Sequence, residues 1–343
     1  MTAPINTPAR TLLVIGTGGT IAGAAPAASQ TLGYRAGAVP VSQLVDAIPA
    51  LAGLATIRTV QPFSIGSEHM ASDHWLTLAQ LLRDAQKDPS IDGIVITHGT
   101  DTMEETAFFL DLVTPRSKPV VMTGAMRPAT AVSADGPGNL LAACRIALDS
   151  GAAGRGVLLA FNDCAFAAAN AAKVHTLRLD AFAARDGAPV AQLANAAVWW
   201  REPPPLRDRL TAAFTALELP PSLPYVALVW QHVDCDDAIV AWHLGRGARG
   251  IVIAGSGNGM MPHAMRGALS AASRQGCIVV RSSRVASGAV IRNAEAEPGD
   301  RDDALGFVAS GCVAPLKARL LLQCCLACDM TVAEVQRQFD MFR

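Results

Sequence analysis

The chain has 343 residues, of which 51% are apolar, 17% charged and 5% aromatic, with a formal net charge of −1. That length exceeds what one core usually organises, so two domains are expected, and the apolar content excludes disorder and points to large buried surfaces. Near-neutral charge and sparse aromatics give no electrostatic or stacking basis for binding nucleic acid, and no apolar run reaches the length of a membrane span.

Met1 to Arg10 is polar, with two prolines, and lacks the basic, apolar and small-residue regions of a secretory leader. A cytoplasmic chain is therefore expected. Thr11 to Ile15 reads as a buried strand running into Gly16-Thr17-Gly18-Gly19-Thr20-Ile21-Ala22-Gly23. The spacing denies a dinucleotide loop, because the sixth position is Ile21, and the absence of lysine denies a Walker loop. The glycines instead bring backbone close to some other group. Thr20 ends the loop, either as a working hydroxyl or as a threonine packed in a turn.

Ala24 to Gly37 reads as a mobile loop carrying Tyr34, one of two tyrosines. A helix is expected over Val41 to Leu51, a strand over Thr56 to Gln61, and a helix over Ser72 to Asp88. Ser67 and Glu68 precede that last helix.

Gly93 to Thr97 is β-branched and apolar, a fully buried strand by pattern. His98-Gly99 turns the chain, and a helix follows from Thr102 with Phe108, Phe109 and Leu112 on one face. Thr100, Asp101 and Thr102 thus lie between the carboxyl end of a strand and a helix N-terminus, where open α/β sheets place ligands. Asp101 with Glu104, and Thr102 with Glu105, also have capping-box spacing. A cap needs one such residue, and the block His98-Gly99-Thr100-Asp101-Thr102 has more, so both readings stand here.

Strands are expected over Pro119 to Thr123 and Gly156 to Phe161, with a helix from Ala134-Asp135-Gly136-Pro137 to Asp149. The Ala-rich stretch to Thr176 has no clear period and holds Lys173, either a snorkelling surface lysine or a buried one with a chemical role. Residues 201–224, with Pro203-Pro204-Pro205 and Pro220-Pro221, read as a linker with helical spacing over Leu206 to Leu217. It divides a domain of residues 1–200 from one of residues 225–343. The second domain has strands at Tyr225 to Trp230, Gly250 to Ala254 and Cys277 to Arg281. Helices are expected at Met261 to Gln275, Leu316 to Cys328 and Thr331 to Phe339, with an acidic loop from Ile291 to Asp303. Strands alternate with helices throughout, so both sheets are expected to be largely parallel. Of the eight cysteines, Cys325-x-x-Cys328 has dithiol spacing but lies inside an apolar helical pattern, which favours core packing and a reducing compartment.

Leu12 to Ala22 and Gly93 to Met103 resemble the paired signatures of the bacterial-type L-asparaginase/glutaminase family. The likeness extends through Thr123 to Pro128, Ser133 to Pro137, Gly255 to Gly259, Arg281 to Val285 and Gly306 to Gly311. It implies a large N-terminal α/β domain with a mostly parallel sheet flanked by helices, and a smaller flavodoxin-like C-terminal α/β domain. It further implies an amidohydrolase that converts free L-asparagine to L-aspartate and ammonia, with no cofactor and no metal.

By the same resemblance, Thr20 matches the nucleophile and Tyr34 the tyrosine that closes over it, while Thr100, Asp101 and Lys173 match a second, rigid triad. Ser67 and Glu68 match the pair that holds the substrate's α-carboxylate and α-amino groups, and Ala125 a carbonyl that meets the side-chain amide. Asn258 and Glu295 match residues reaching a neighbouring subunit's site in a homotetramer built as a dimer of dimers. Chemically, amide hydrolysis needs a nucleophile, a base, an oxyanion hole and a proton for the leaving ammonia. The N–H groups of Gly19 and Thr100 are the expected oxyanion donors. Lys173 can accept a proton only in its neutral form, which burial favours. Ser67 at a helix N-terminus suits a carboxylate, and Asp101, Glu68 and Glu295 supply anions for an ammonium.

Two departures from the family pattern matter. Glu68 stands where other members have glutamine, so glutaminase side activity is expected. Asn170-Ala171-Ala172 precedes Lys173, where Arg-Asp-type residues are usual. A glutaminase-dominant enzyme, an amidotransferase subunit acting on aminoacyl-tRNA and a non-catalytic amino-acid sensor are the competing readings.

Overall fold

The computed structural model describes residues 10–201, 214–216 and 218–342. The chain divides into two compact units, Met1–Leu206 and Arg207–Arg343. The expected linker lies largely outside the described residues.

In the first unit, β1 (Thr11–Gly16), β2 (Thr56–Val60), β3 (Gly93–Thr97), β4 (Val120–Thr123) and β5 (Val157–Phe161) run parallel. They are joined through α1 (Val41–Asp46), α2 (Ser72–Lys87), α3 (Met103–Val113) and α4 (Gly136–Leu148). Alternation along β1 builds both layers. Leu12 and Val14 join Val41 and Leu44 of α1 and Leu140, Ala143 and Ile146 of α4 in one core. Leu13 and Ile15, also buried, point to the opposite face. The helix α3 is buried almost all round, from Thr106 to Val113, rather than along the one stripe its sequence suggests. The helix expected over Val41 to Leu51 stops at Asp46, and a single 3₁₀ turn (Pro49–Leu51) follows. Pro49 lacks the N–H to continue the helix and keeps Ile48 out of the helical region, at φ −122° and ψ 83°.

Beyond β5 the alternation of strand and helix ends. The strands β6 (Cys164–Ala167), β9 (Ala191–Ala194) and β10 (Ala197–Trp200) extend the sheet antiparallel, giving the order β10-β9-β6-β5-β4-β3-β1-β2. Two tight turns make this possible. Asn162 and Asp163 (φ 47° and 56°) reverse the chain between β5 and β6, and Asn195 and Ala196 (φ 49° and 70°) between β9 and β10. The Ala-rich stretch resolves into β6 and β7 (Ala171–Lys173). The latter pairs only with β8 (Phe182–Ala184), as a separate two-stranded sheet.

The second unit has a four-stranded parallel sheet, β11 (Val226–Trp230), β12 (Gly250–Gly255), β13 (Ile278–Ser283) and β14 (Phe307–Ala309), in sequential order. On one face, α5 (Ala238–Gly245) and α6 (His263–Arg274) contribute Val240, Met265 and Leu269 to a core with Ile251, Ile253 and Val279. The acidic stretch expected to be a loop ends in a short helix, α7 (Asp302–Leu305). Asp302 is buried in a bidentate pair with Arg281, at 2.6 and 2.7 Å. Helices α8 (Pro315–Ala327) and α9 (Val332–Asp340) close the unit. Cys324 and Cys325 are buried in α8, and burial pushes their thiols up. All eight cysteines are free. No helix of the described residues is long and apolar enough to cross a membrane.

Candidate active site

The order β4-β3-β1-β2 creates a switch point. From β1 the chain goes to β2 on one side, while β3 and β4 lie on the other. The carboxyl ends of β1 and β3 therefore adjoin, with Gly16 opposite Thr97. Open α/β sheets bind ligands in this crevice. Thr20 follows β1 and Thr100 follows β3, so the two signature segments meet there.

Their loops touch. Gly19 sits at φ 77°, and a Cβ on it would lie 2.4 Å from the Gly99 Cα. Only glycine allows both that backbone conformation and that approach. This is the physical use of the glycines, and it corrects one expectation. The Gly19 N–H is not a free oxyanion donor, because it is committed to the Ile65 carbonyl at 2.8 Å. The Thr20 and Thr100 N–H groups have no acceptor among the described residues.

Two hydroxyls face two different partners. Thr20 Oγ1 lies 2.6 Å from the Tyr34 hydroxyl. The loop carrying Tyr34 is pinned by an Ala24–Arg35 bridge and by the Ala129 N–H donating to the Gly23 carbonyl. Lys173 Nζ donates to Thr100 Oγ1 at 2.9 Å and to Asp101 Oδ1 at 2.5 Å. Its side chain is 15% exposed, so the surface reading does not hold.

The capping reading also fails. Thr102 makes no side-chain cap; its hydroxyl donates to the Ser67 carbonyl at 2.9 Å. The Asp101 carboxylate goes to Lys173, and its N–H donates to Ser67 Oγ at 3.1 Å. Ser67 thus bridges to the Thr100 turn, and its own hydroxyl proton is left to donate to a ligand. The helix N-terminus expected at Ser67 is a single 3₁₀ turn (Ser67–His69), too short to carry much of a macrodipole. The Glu68 side chain is exposed, with Oε1 3.6 Å from His69 Nε2.

Ala125 is fully buried in the turn after β4. Asp135 clamps that turn by accepting from the Met126 and Arg127 N–H groups at 2.9 and 3.0 Å, and Asn139 donates to the Gly124 carbonyl at 3.0 Å. These bonds explain why Asp135 follows the turn so closely in sequence.

The sequence pattern marks His98 only as part of the turn after β3. His98 is fully buried, with Nδ1 2.7 Å from the Gly99 carbonyl and Nε2 3.1 Å from Thr106 Oγ1, which in turn receives Trp75 Nε1–H at 2.8 Å. The carbonyl can only accept and the indole can only donate. The chain of bonds therefore runs from Trp75 through Thr106 and neutral His98 to Gly99. Burial pushes the imidazole down to about 4. Because a trans peptide points its N–H opposite its carbonyl, holding the Gly99 oxygen also aims the Thr100 N–H. Nothing in the sequence pattern identified Thr106 and Trp75 as the partners.

Asn258 and Glu295 lie in the second unit, and each has partners there. Asn258 Oδ1 accepts from the Ile291 N–H at 2.8 Å, and its carbonyl accepts from Arg281. Glu295 pairs with Arg266 at 2.8 Å, and Arg266 also binds Asp300 at 2.6 Å. Among the described residues no group of three or more His, Cys, Asp and Glu is arranged to hold a metal.

Comparisons with known proteins give the family of the chain. Residues 11–206 match the family model "Asparaginase, N-terminal", and residues 225–339 match "Glutaminase/Asparaginase C-terminal domain". The chain is 39% identical to "L-asparaginase 2" of Escherichia coli (strain K12), covering 96% of this chain and 93% of that protein. It is 38% identical to "Glutaminase-asparaginase" of Acinetobacter glutaminasificans, covering 96% and 98%. A solved structure described as "Probable Cytoplasmic L-asparaginase from Campylobacter jejuni" superposes with a TM-score of 0.89 at 36% identity, covering 97% of this chain and 99% of that one. The chain belongs to the asparaginase/glutaminase family.

Proposed function

We propose that the chain hydrolyses the side-chain amide of free L-asparagine, releasing ammonia and L-aspartate, and accepts L-glutamine as a second substrate. The observation that carries this reading is the pair of partnered hydroxyls on touching loops: Thr20 with Tyr34, and Thr100 with Lys173 and Asp101. In this reading Thr20 Oγ1 attacks the amide carbon. Tyr34 accepts the hydroxyl proton and passes one to the leaving nitrogen, so that ammonia departs and an ester remains on Thr20. The oxyanion meets the N–H groups of Thr20 and Thr100. Thr100, held by Lys173, positions and polarises the amide, and water then hydrolyses the ester to aspartate. Ser67 donates to the α-carboxylate, Asp101 and Glu68 face the ammonium, and the Ala125 carbonyl receives the amide N–H.

The names of the relatives support both substrates, and Glu68 in place of glutamine supports the second. We extend the proposal to a homotetramer in which Asn258 and Glu295 approach a neighbouring copy's site. Eight free thiols support a reducing, cytoplasmic compartment.

Ammonia release from L-asparagine and L-glutamine, measured for wild type and Thr20→Ala, tests the reading. Turnover that falls at least about a thousandfold in the variant is expected, since the covalent step disappears. Unimpaired turnover by Thr20→Ala overturns the nucleophile assignment, and no turnover of either amide by wild type overturns the reaction.

A further inference from the structure

Lys173 needs an anchor, because the residues ahead of it are small. Ala171 and Ala172 carry no polar side chain, and β7 belongs to a two-stranded sheet rather than to the eight-stranded one. Its pairing with β8 sets Lys173 opposite Phe182, whose ring packs on Phe161 at 4.9 Å between centroids. That fixes the β8 side of the hairpin. On the β7 side, the Lys173 backbone N–H donates to Glu104 Oε2 at 3.3 Å.

Glu104 lies in the first turn of α3, directly after the turn that binds the other end of the lysine. The contiguous residues 100–104 therefore grip Lys173 twice. Thr100 and Asp101 hold Nζ, and Glu104 holds the backbone nitrogen. We infer that Glu104 is the positioning residue of the site: it docks β7 onto α3 so that the Lys173 side chain spans the fixed distance to Thr100 and Asp101.

This inference rests on the proposed role of Lys173 and goes beyond it. A carboxylate in the first turn of a helix also has a bland use, as a partner for the helix N-terminus. That use predicts a change in stability alone. Positioning predicts a change in turnover that a neutral acceptor repairs, because a backbone N–H needs an oxygen and not a charge.

The test compares Glu104→Ala with Glu104→Gln. For Glu104→Ala, kcat on L-asparagine is expected to fall roughly ten- to a hundredfold, with KM within about threefold, the scale at which small misplacements of a reacting group act. Glu104→Gln is expected to restore kcat to within about threefold of wild type. A second readout does not depend on activity. The rate at which an amine-reactive reagent modifies Lys173, followed by peptide mass mapping, is expected to rise severalfold in Glu104→Ala and to stay near wild type in Glu104→Gln. Equal labelling of Lys173 in all three proteins overturns the inference, as does an unchanged kcat in folded Glu104→Ala. If wild type hydrolyses neither amide, the proposed function fails, while the labelling rates still decide whether Glu104 holds Lys173.

Discussion

At the residue scale, the site is assembled by bonds that short-range rules do not anticipate. Asp101 and Thr102 have the chemistry and spacing of caps, yet one binds Lys173 and the other Ser67. The long-range partners are charged or buried, and such bonds outweigh an exposed cap. His98 has a measurable consequence of its own. In the unfolded chain its imidazole titrates at the ordinary 6.5, whereas in the fold burial delays protonation to about 4. The unfolded state therefore binds more protons across that window. Stability is full above pH 6.5, falls as the pH drops toward about 4, and stops falling from this cause below it. The total is roughly 3 kcal/mol, from about 1.4 kcal/mol per unit. Denaturant unfolding from pH 7 to 4, for wild type and His98→Gln, checks this: wild type is expected to lose more stability than the variant, and parallel curves would refute it.

At the element scale, the turns decide where the parallel sheet stops. The antiparallel edge depends on paired left-handed residues at Asn162-Asp163 and Asn195-Ala196. Asparagine and aspartate adopt that conformation at low cost, but alanine does not. Ala196 is exposed at φ 70°, so its Cβ is strained with nothing to compensate. Ala196→Gly is expected to stabilise the first unit by about 1 kcal/mol, the strain relieved exceeding the added freedom of the unfolded chain. Equilibrium denaturation reads this directly, and a less stable variant would show that the turn is not strained. In the second unit, the buried Arg281–Asp302 pair ties together the segments that carry Asn258 and Ile291 through two backbone carbonyls. It accounts for a buried arginine on β13.

At the scale of the whole molecule, exposed apolar residues lie at or just after the carboxyl ends of β11, β12 and β13: Trp230, Val233, Met260 and Val285. Burying them would remove apolar area from water at about 25 cal/mol per Å². This supports the proposed assembly. Light scattering is expected to give four times the chain mass of 35.7 kDa, and Val233→Asp, a charge in that patch, is expected to lower it. A wild-type monomer with full amidase activity would sink the shared-site proposal.

The parallel strands β1 to β5 and β11 to β13 and the principal helices were legible because burial imposes periodicity, and β3 could be read to the residue at Gly93–Thr97; the short strands β6 to β10 and β14 were not. The two signature segments were legible because a glycine turn between a buried strand and a helix is a local pattern. The family and the mixed α/β architecture followed from them. What local pattern could not contain was the pairing of distant groups. Lys173 sits 73 residues from Thr100, on a three-residue strand among alanines that carries no periodic signal. The commitment of the Gly19 N–H to Ile65, the clamp from Glu104 and the relay from Trp75 to His98 likewise join separate stretches of chain. Sequence determined which groups the loops carry. The tertiary structure decided which of them remain free to act, because each buried donor or acceptor must find a partner and only the folded chain supplies it.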